Sequence, residues 1–420
     1  MYVVSVRDHA AMETGDVIVE QLARGRRQLR IAVVTETYPP EVNGVAMSAG
    51  RFVDGLLRIG HCIQLVRPRQ GSEDAPATEA NLHAMLVRGV PIPRYQHLKM
   101  GLPARKALLA QWRLQAPDVV LIVTEGPLGW SALSAARALR LPVVTEYHTN
   151  FDAYSAYYGL GWLKRSVTAY LRRFHNRSDL TLVPTRAMQL LLLRAGYRTV
   201  EVVARGVDTT LFCPNRRSAV LRESWGAGDE DLVVTHVGRL APEKNLGLLM
   251  QAFAAIRDER PEARLVLVGD GPARRTLETQ QPRNVVFAGL RSGEDLAQHY
   301  ASADLFLFPS TTETFGNVTV EALASGLPVV AFDYAAAAEL VRHDENGLLA
   351  PFDDAQSFVR QSVFAASRPN LARLRAAASR SVGHLEWGLI VSRLVEKLDS
   401  AISRHRGHAH AQGSIVLTTD

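Results

Sequence analysis

A chain of 420 residues is too long for one hydrophobic core, so two domains of roughly 200 residues each are expected. With 47% apolar and 21% charged residues it is globular in composition, and its formal charge of +6 is unevenly spread: residues 1–215 hold 26 Lys+Arg against 17 Asp+Glu, net +9, and the remainder 22 against 25, net −3. Two distant cysteines, Cys62 and Cys213, exclude a disulfide framework and a Cys-x-x-Cys metal site, and no apolar run reaches the ~20 residues of a membrane-spanning helix.

Residues 1–29 mix acids with short apolar runs, lack the apolar core of a signal peptide, and read as an N-terminal extension. From residue 30, continuous apolar runs of strand length alternate with helical patterns, the mark of parallel sheets covered on both faces. "RIAVVTE" leads to the amphipathic "AMSAGRFVDGLLRIG", then "CIQLVRP", "DVVLIVTEG", "LPVVTEYH" and "LTLVPT", one doubly wound domain over residues 30–207. The turn-rich "ARGVDTTLFCPNRRSA" marks the boundary. The pattern restarts with "DLVVTHVGR", "RLVLVGDG", "NVVFAG", "ADLFLFPS" and "LPVVAFD", a second domain over residues 208–385. Residues 386–403 read as a C-terminal helix free to cross back to the first domain, and residues 404–420, with their histidines, as a loose solvated tail.

Open parallel sheets bind ligands at the carboxyl ends of their strands, and several strand ends here carry polar residues. Asn43-Gly44 follows the first strand, His148 a later one, and "GRLAPEKN", with Gly238, Arg239 and Lys244, opens the second domain. "GDGP" supplies Asp270 and Gly271. A guanidinium and an ammonium on one loop suit a diphosphate whose charge grows as it leaves. In "ETFGNVTVEALASG" the amides of Phe315, Gly316, Asn317 and Val318 begin a helix and form an anion site. Two carboxylates beside an anion are repulsive unless they hold neutral hydroxyls, so Glu313 is expected on a transferred sugar and Glu321 on a nucleoside ribose.

"GRLAPEKN", "GDGP", the pair Glu313 and Glu321, "NGVA" after the first strand and the linker "GVDTTLF" together resemble the retaining nucleotide-sugar glycosyltransferases of family 4. "TEYHTNFDAYSAYYG" through "LRRFHNRSDLTLVPT" is similar to the branch containing GDP-mannose-dependent mannosyltransferases and diacylglycerol sulfoquinovosyl or glucosyl transferases. The resemblance implies the α/β GT-B fold, two doubly wound Rossmann-like domains facing across a cleft. It implies Arg239 and Lys244 on the donor diphosphate, Glu313 on the donor sugar, Glu321 on the ribose, His148 near the transferred sugar and Gly44 beside the diphosphate. It further implies retention by front-face attack with the leaving phosphate as base. A departure lies at "FDYAAAAELV", where Ala335 to Ala338 replace the family's diglycine before Glu339.

Rival readings lack support. "DED" at 229–231 precedes a strand, the wrong end for a metal-diphosphate site, and "VGDGPARRTLE" supplies only two glycines of a dinucleotide fingerprint. A catalytically silent sugar-nucleotide-binding protein is the alternative of another class, and UDP-sugar dependence the alternative within the enzyme reading. No metal or other cofactor is expected. The helix-like "GWLKRSVTAYLRRFHNR" suits either a core helix with a charged rim or a membrane-surface helix facing anionic lipid. The expected partners are thus a nucleotide sugar, a lipid or saccharide acceptor and an anionic membrane at the inner face of the plasma membrane, with no nucleic acid, for a cytoplasmic enzyme.

Overall fold

A computed structural model describes residues 27–41, 43–71, 73–76, 78–92, 95–148, 164–280 and 282–415. β1 (Arg30–Val34) leads into α1 (Gly44–Arg58), then β2 (Cys62–Pro68), β3 (Thr78–Glu79), β4 (Leu82–Val87) and the hairpin of β5 (Gly89–Ile92) with β6 (Tyr95–Gly101). α2 (Arg105–Leu114), β7 (Val119–Ile122), α3 (Pro127–Ala138), β8 (Val143–Glu146), α4 (Lys164–His175), β9 (Leu180–Val183), α5 (Arg186–Arg194) and β10 (Val200–Val202) complete the first unit. Its eight-stranded sheet runs β10-β9-β8-β7-β1-β2-β4-β3, parallel except at β3. β1, β7, β8 and β9 are covered on both faces, which is why they read as unbroken apolar runs.

The second unit comprises α6 (Ala219–Ser224), β11 (Val233–Val237), α7 (Leu246–Glu259), β12 (Arg264–Val268), α8 (Arg274–Thr279), β13 (Val285–Gly289), α9 (Gly293–Ser302), β14 (Leu305–Phe308), α10 (Asn317–Ala324), β15 (Val329–Phe332), α11 (Ala335–Leu340), β16 (Gly347–Ala350), α12 (Ala355–Ala366) and α13 (Arg368–Ala378). Its six parallel strands run β13-β12-β11-β14-β15-β16. Asp304 fastens the amino end of this sheet to α6 and α13, accepting from Arg222 Nη1 at 3.0 Å, Arg217 Nη2 at 3.0 Å and the Val233 amide at 2.9 Å, and pairing with Arg375. "DED" lies at that end, with Asp231 closing a turn onto the Gly228 amide at 2.8 Å.

α14 (Trp387–Ile415) then returns to the first sheet. Val391 packs where Gly55 of α1 leaves no side chain, Trp387 meets Phe52 edge-on at 5.5 Å, and Lys397 pairs with Glu201 at 2.8 Å. One apolar cluster consequently runs from α1 and β1 through Val391, Leu394 and Leu398 to β11, β14 and α10. The helix continues twelve residues past 403, so the loose tail expected from 404 is corrected. His405, expected in solvent, contacts Asp179 Oδ1 at 3.0 Å and the Arg140 carbonyl at 3.0 Å. The sequence reading also passed over β3, β4, the β5–β6 hairpin, β10 and β16; β4 is half exposed and lacks a buried strand's continuous apolar run.

Residues 149–163, including Trp162, lie outside the described residues. α4 itself buries Leu171 and Phe174 in the first domain, and Trp130, Tyr170 and Phe174 stack at 5.6 to 6.5 Å. Its apolar face belongs to the core, while Arg165, Arg172 and Arg173 stay exposed.

Candidate active site

In the second sheet β11 lies between β12 and β14, and the chain leaves it in opposite directions on the two sides. Such a switch point opens a crevice at the carboxyl ends of the strands. Gly238, Arg239 and Lys244 follow β11, Asp270 and Gly271 follow β12, and the stretch from Glu313 follows β14. The first two loops are laced together: the Gly238 amide donates to the Val268 carbonyl at 3.0 Å and the Leu240 amide to the Asp270 carbonyl at 2.9 Å. Gly269 has φ 135° and a Cβ there would collide with the Gly238 carbonyl, so this close approach requires glycine. Asp270 accepts from the Gly271 amide at 2.7 Å and is otherwise exposed.

Lys244 is ion-paired with Glu313, whose Oε1 also accepts from Ser310 Oγ at 2.7 Å. Burial works against the charged form of Glu313, but Lys244 and Ser310 overcome it and hold the carboxyl below the ordinary carboxylate range. The ammonium also lies 5.6 Å from the Phe308 ring centroid. Arg239, at 38% side-chain exposure, pairs with Glu243, which is buried. Behind them His236 is fully buried, its Nδ1 3.0 Å from the Leu307 carbonyl and its ring stacked on Phe308; burial pushes it down to about 4, so it is neutral near pH 7. Sequence reasoning missed Glu243, Ser310 and His236, because nothing in a single loop or strand shows which neighbour faces it.

Gly316, with φ 96°, starts α10, and no side chain caps the helix. The first-turn amides at Asn317 and Val318 therefore lie where an anion would need them. Phe315 is buried beneath. Two bonds fix this turn to the replaced diglycine: Tyr334 Oη donates to the Glu313 carbonyl at 2.8 Å, and the Ala336 amide to the Phe315 carbonyl at 2.8 Å. Ala335 keeps a left-handed φ of 52°, so the backbone shape of a glycine survives with a methyl attached. About one turn along α10, Glu321 Oε2 accepts from Tyr300 Oη at 2.9 Å. Burial pushes its carboxyl up to about 7, against the hydrogen bond from Tyr300 and the charge of Arg51 in α1.

The first domain closes the other side. Asn43 Oδ1 accepts from the Val45 and Ala46 amides at 3.1 and 2.9 Å, capping α1, and a Cβ on Gly44 would lie 3.7 Å from Asn317 Nδ2. Thr314 Oγ1 donates to the His148 carbonyl at 2.8 Å, and the Glu339 carboxylate accepts from the Arg186 amide at the start of α5. Gly44 and His148 are thus brought onto the same crevice as Arg239, Lys244, Glu313 and α10, with Glu321 deeper along it. The His148 ring points elsewhere: it lies between Glu146 and Arg205 within the first domain, and only the main chain meets Thr314. Among the described residues no group of three His, Cys, Asp or Glu side chains is placed to hold a metal.

Two family models match: "Glycosyltransferase Family 4" over residues 42–211 and "Glycosyl transferases group 1" over residues 231–366. The chain is 34% identical over 385 residues to a GDP-mannose-dependent alpha-mannosyltransferase of Mycobacterium tuberculosis, covering 91% of this chain and 99% of the relative. It is 29% identical to an alpha-monoglucosyldiacylglycerol synthase of Streptococcus pneumoniae, covering 72% of this chain and 71% of that one. In fold it is similar to the sucrose-phosphate synthase of Thermosynechococcus elongatus, with a TM-score of 0.74 at 20% identity over 90% of this chain and 100% of that one. Two parallel Rossmann-like sheets meeting at one crevice, matched domain by domain to these models, place the chain in the group 1, family 4 glycosyltransferases of GT-B fold.

Proposed function

We propose that this glycosyltransferase moves a hexose, mannose from GDP-mannose, onto a lipid or lipid-linked acceptor with retention of anomeric configuration and without a metal. The observation that carries the reading is the grouping of Arg239, Lys244 and the uncapped start of α10 around the half-buried Glu313 at the switch point. A donor diphosphate seated there shares Lys244 with Glu313 and Arg239 with Glu243, and the two cations with the helix amides meet the charge that develops on the leaving group. The Lys244 ammonium and the Ser310 hydroxyl keep the Glu313 carboxyl below the ordinary carboxylate range, which makes it a weak base. It instead accepts hydrogen bonds from the sugar hydroxyls while the leaving phosphate takes the acceptor's proton on the same face.

The identity to the mannosyltransferase over nearly its whole length favours GDP-mannose. The likeness to a glucosyldiacylglycerol synthase favours a lipid acceptor and keeps a UDP-sugar-dependent glucosyl or sulfoquinovosyl transfer as the second reading. Incubation with GDP-mannose or UDP-sugars and lipid or saccharide acceptors, reading released nucleoside diphosphate, decides among these and a silent sugar-nucleotide-binding protein. Arg239→Ala and Lys244→Ala are each expected to lower turnover by ~10²-fold, the scale of losing one preorganised charge stabiliser. Activity that vanishes in EDTA and returns with magnesium would overturn the metal-free account.

A further inference from the structure

Glu146, His148 and Arg205 form a cluster with 3%, 9% and 7% of their side chains exposed. His148 Nε2 lies 2.9 Å from Glu146 Oε2, and Arg205 Nη2 lies 3.0 Å from the same oxygen and 2.9 Å from His148 Nδ1. An ionised carboxylate only accepts and a guanidinium only donates, so this arrangement puts the imidazole proton on Nε2 and makes Nδ1 an acceptor. Glu146 Oε1 is buried with no partner among the described residues, which leaves Arg205 as the group balancing its charge.

Arg205 belongs to the connection between the domains. Its guanidinium lies 5.4 Å from the Phe52 ring centroid, Gly206 is packed under the Trp387 ring, and the Val207 amide donates to the Leu385 carbonyl at 2.8 Å. The two chain crossings are joined one residue from Gly206, and Arg205 reaches from that junction to the segment whose carbonyl meets Thr314 beside Glu313.

We propose that Arg205 is the positioning residue for His148: from the interdomain connection it fixes the imidazole against Glu146, and with it the segment that meets Thr314 across the crevice. The inference rests on the glycosyl-transfer reading of the crevice. Arg239, Lys244 and Glu321, the charged donor ligands of that reading, are second-domain residues, and Arg205 contacts neither them nor first-domain Gly44, so Arg205 acts on turnover more than on nucleotide affinity. The charged and titratable groups facing His148 among the described residues are Glu146 on β8, Arg205 on the connection and His175 on α4. Burial and the Arg205 charge hold His148 below the ordinary histidine range. Without Arg205, the buried Glu146 draws a proton onto His148.

The test uses the full chain with Arg205→Gln and Arg205→Lys, binding of GDP and UDP by calorimetry, steady-state turnover, and the His148 Cε1–H resonance between pH 5 and 8. Arg205→Gln is expected to lower kcat by ~10- to 10²-fold, the scale of a misplaced site group. Nucleotide affinity should hold within about threefold of wild type, and the His148 midpoint should lie higher in the variant than in wild type. Arg205→Lys should recover part of kcat and keep the His148 midpoint near that of wild type. Unchanged kcat, a parallel loss of nucleotide affinity, or a titration like that of wild type would each overturn the assignment. If Arg205→Gln does not fold, Glu146→Gln/Arg205→Gln removes both charges together; its kcat should still fall without the rise in the His148 midpoint, and wild-type kcat there would refute the role. If the wild type turns over no donor, the transfer reading fails, while the titration arm still decides what Arg205 does to His148.

Discussion

Glu313 and Glu321 flank the start of α10, eight residues apart, and carry opposite shifts. Lys244 and Ser310 hold the first ionised, whereas burial pushes the second up to about 7. A ribose diol donates hydrogen bonds, so Glu321 must be ionised to hold it. Nucleotide affinity measured by calorimetry is therefore expected to fall up to ~10-fold per pH unit below 7 and to level off above it, with Glu321→Gln weak at every pH. For folding the sign is reversed: the native carboxyl binds its proton more tightly than an ordinary one of 4.5, so this group costs stability as pH rises from 4.5 to 7. Glu313→Gln should lower kcat with nucleotide affinity little changed, because the sugar contact matters most as charge develops at the anomeric carbon. Ala335, at φ 52°, tests the replaced diglycine. A left-handed alanine costs about 1–2 kcal/mol and glycine loses about 0.4–1 kcal/mol of unfolded-state entropy, so Ala335→Gly should gain up to about 1 kcal/mol in thermal unfolding.

At the scale of elements, the packing of α14 on α1 sets two effects against each other. Alanine in a helix interior is favoured over glycine by about 1 kcal/mol. At Gly55, however, an added Cβ would overlap Val391, and overpacking costs about 1–3 kcal/mol. Gly55→Ala is expected to lose about 1 kcal/mol in urea unfolding, whereas Gly247→Ala in α7, where a Cβ meets nothing within 4 Å, should lose nothing and gain up to ~1 kcal/mol. A gain at Gly55 would show that α14 yields at this crossing. β1, β7, β8, β9, β11, β14 and β15 could be read in advance because they bury both faces; β4, half exposed, and the last twelve residues of α14, weakly periodic, could not.

Across the whole molecule, the net +9 of residues 1–215 bears on where the enzyme works. No helix among the described residues is long and apolar enough to cross a membrane. α5 exposes Leu190, Leu191 and Leu193, with Arg186, Arg194 and Arg198 exposed around them, and its first amide meets Glu339 of the second domain at the crevice. We propose that this surface docks on anionic lipid, each basic residue contributing ~1 kcal/mol. Sedimentation with vesicles containing anionic lipid should show binding at low salt that falls as salt rises. Reversing Arg186, Arg194 and Arg198 to Glu should weaken it; binding that ignores lipid charge would point to a soluble acceptor.

The sequence by itself determined the class of the fold and the chemical character of the crevice. Buried parallel strands need continuous apolar runs, and the residues after them, Arg239, Lys244, Glu313 and the Gly316 turn, can be read one loop at a time. What only the tertiary structure decided is how those loops pair: Lys244 with Glu313, the His148 carbonyl with Thr314, and the His148 ring with Arg205. Each contact beyond a single loop joins residues far apart in the chain, and no local pattern records which of many charged neighbours meets which. The same holds for α14, whose apolar stripe requires a partner but cannot name it; the missing side chain at Gly55 and the continuous core through Val391 and Leu394 place it on the first domain.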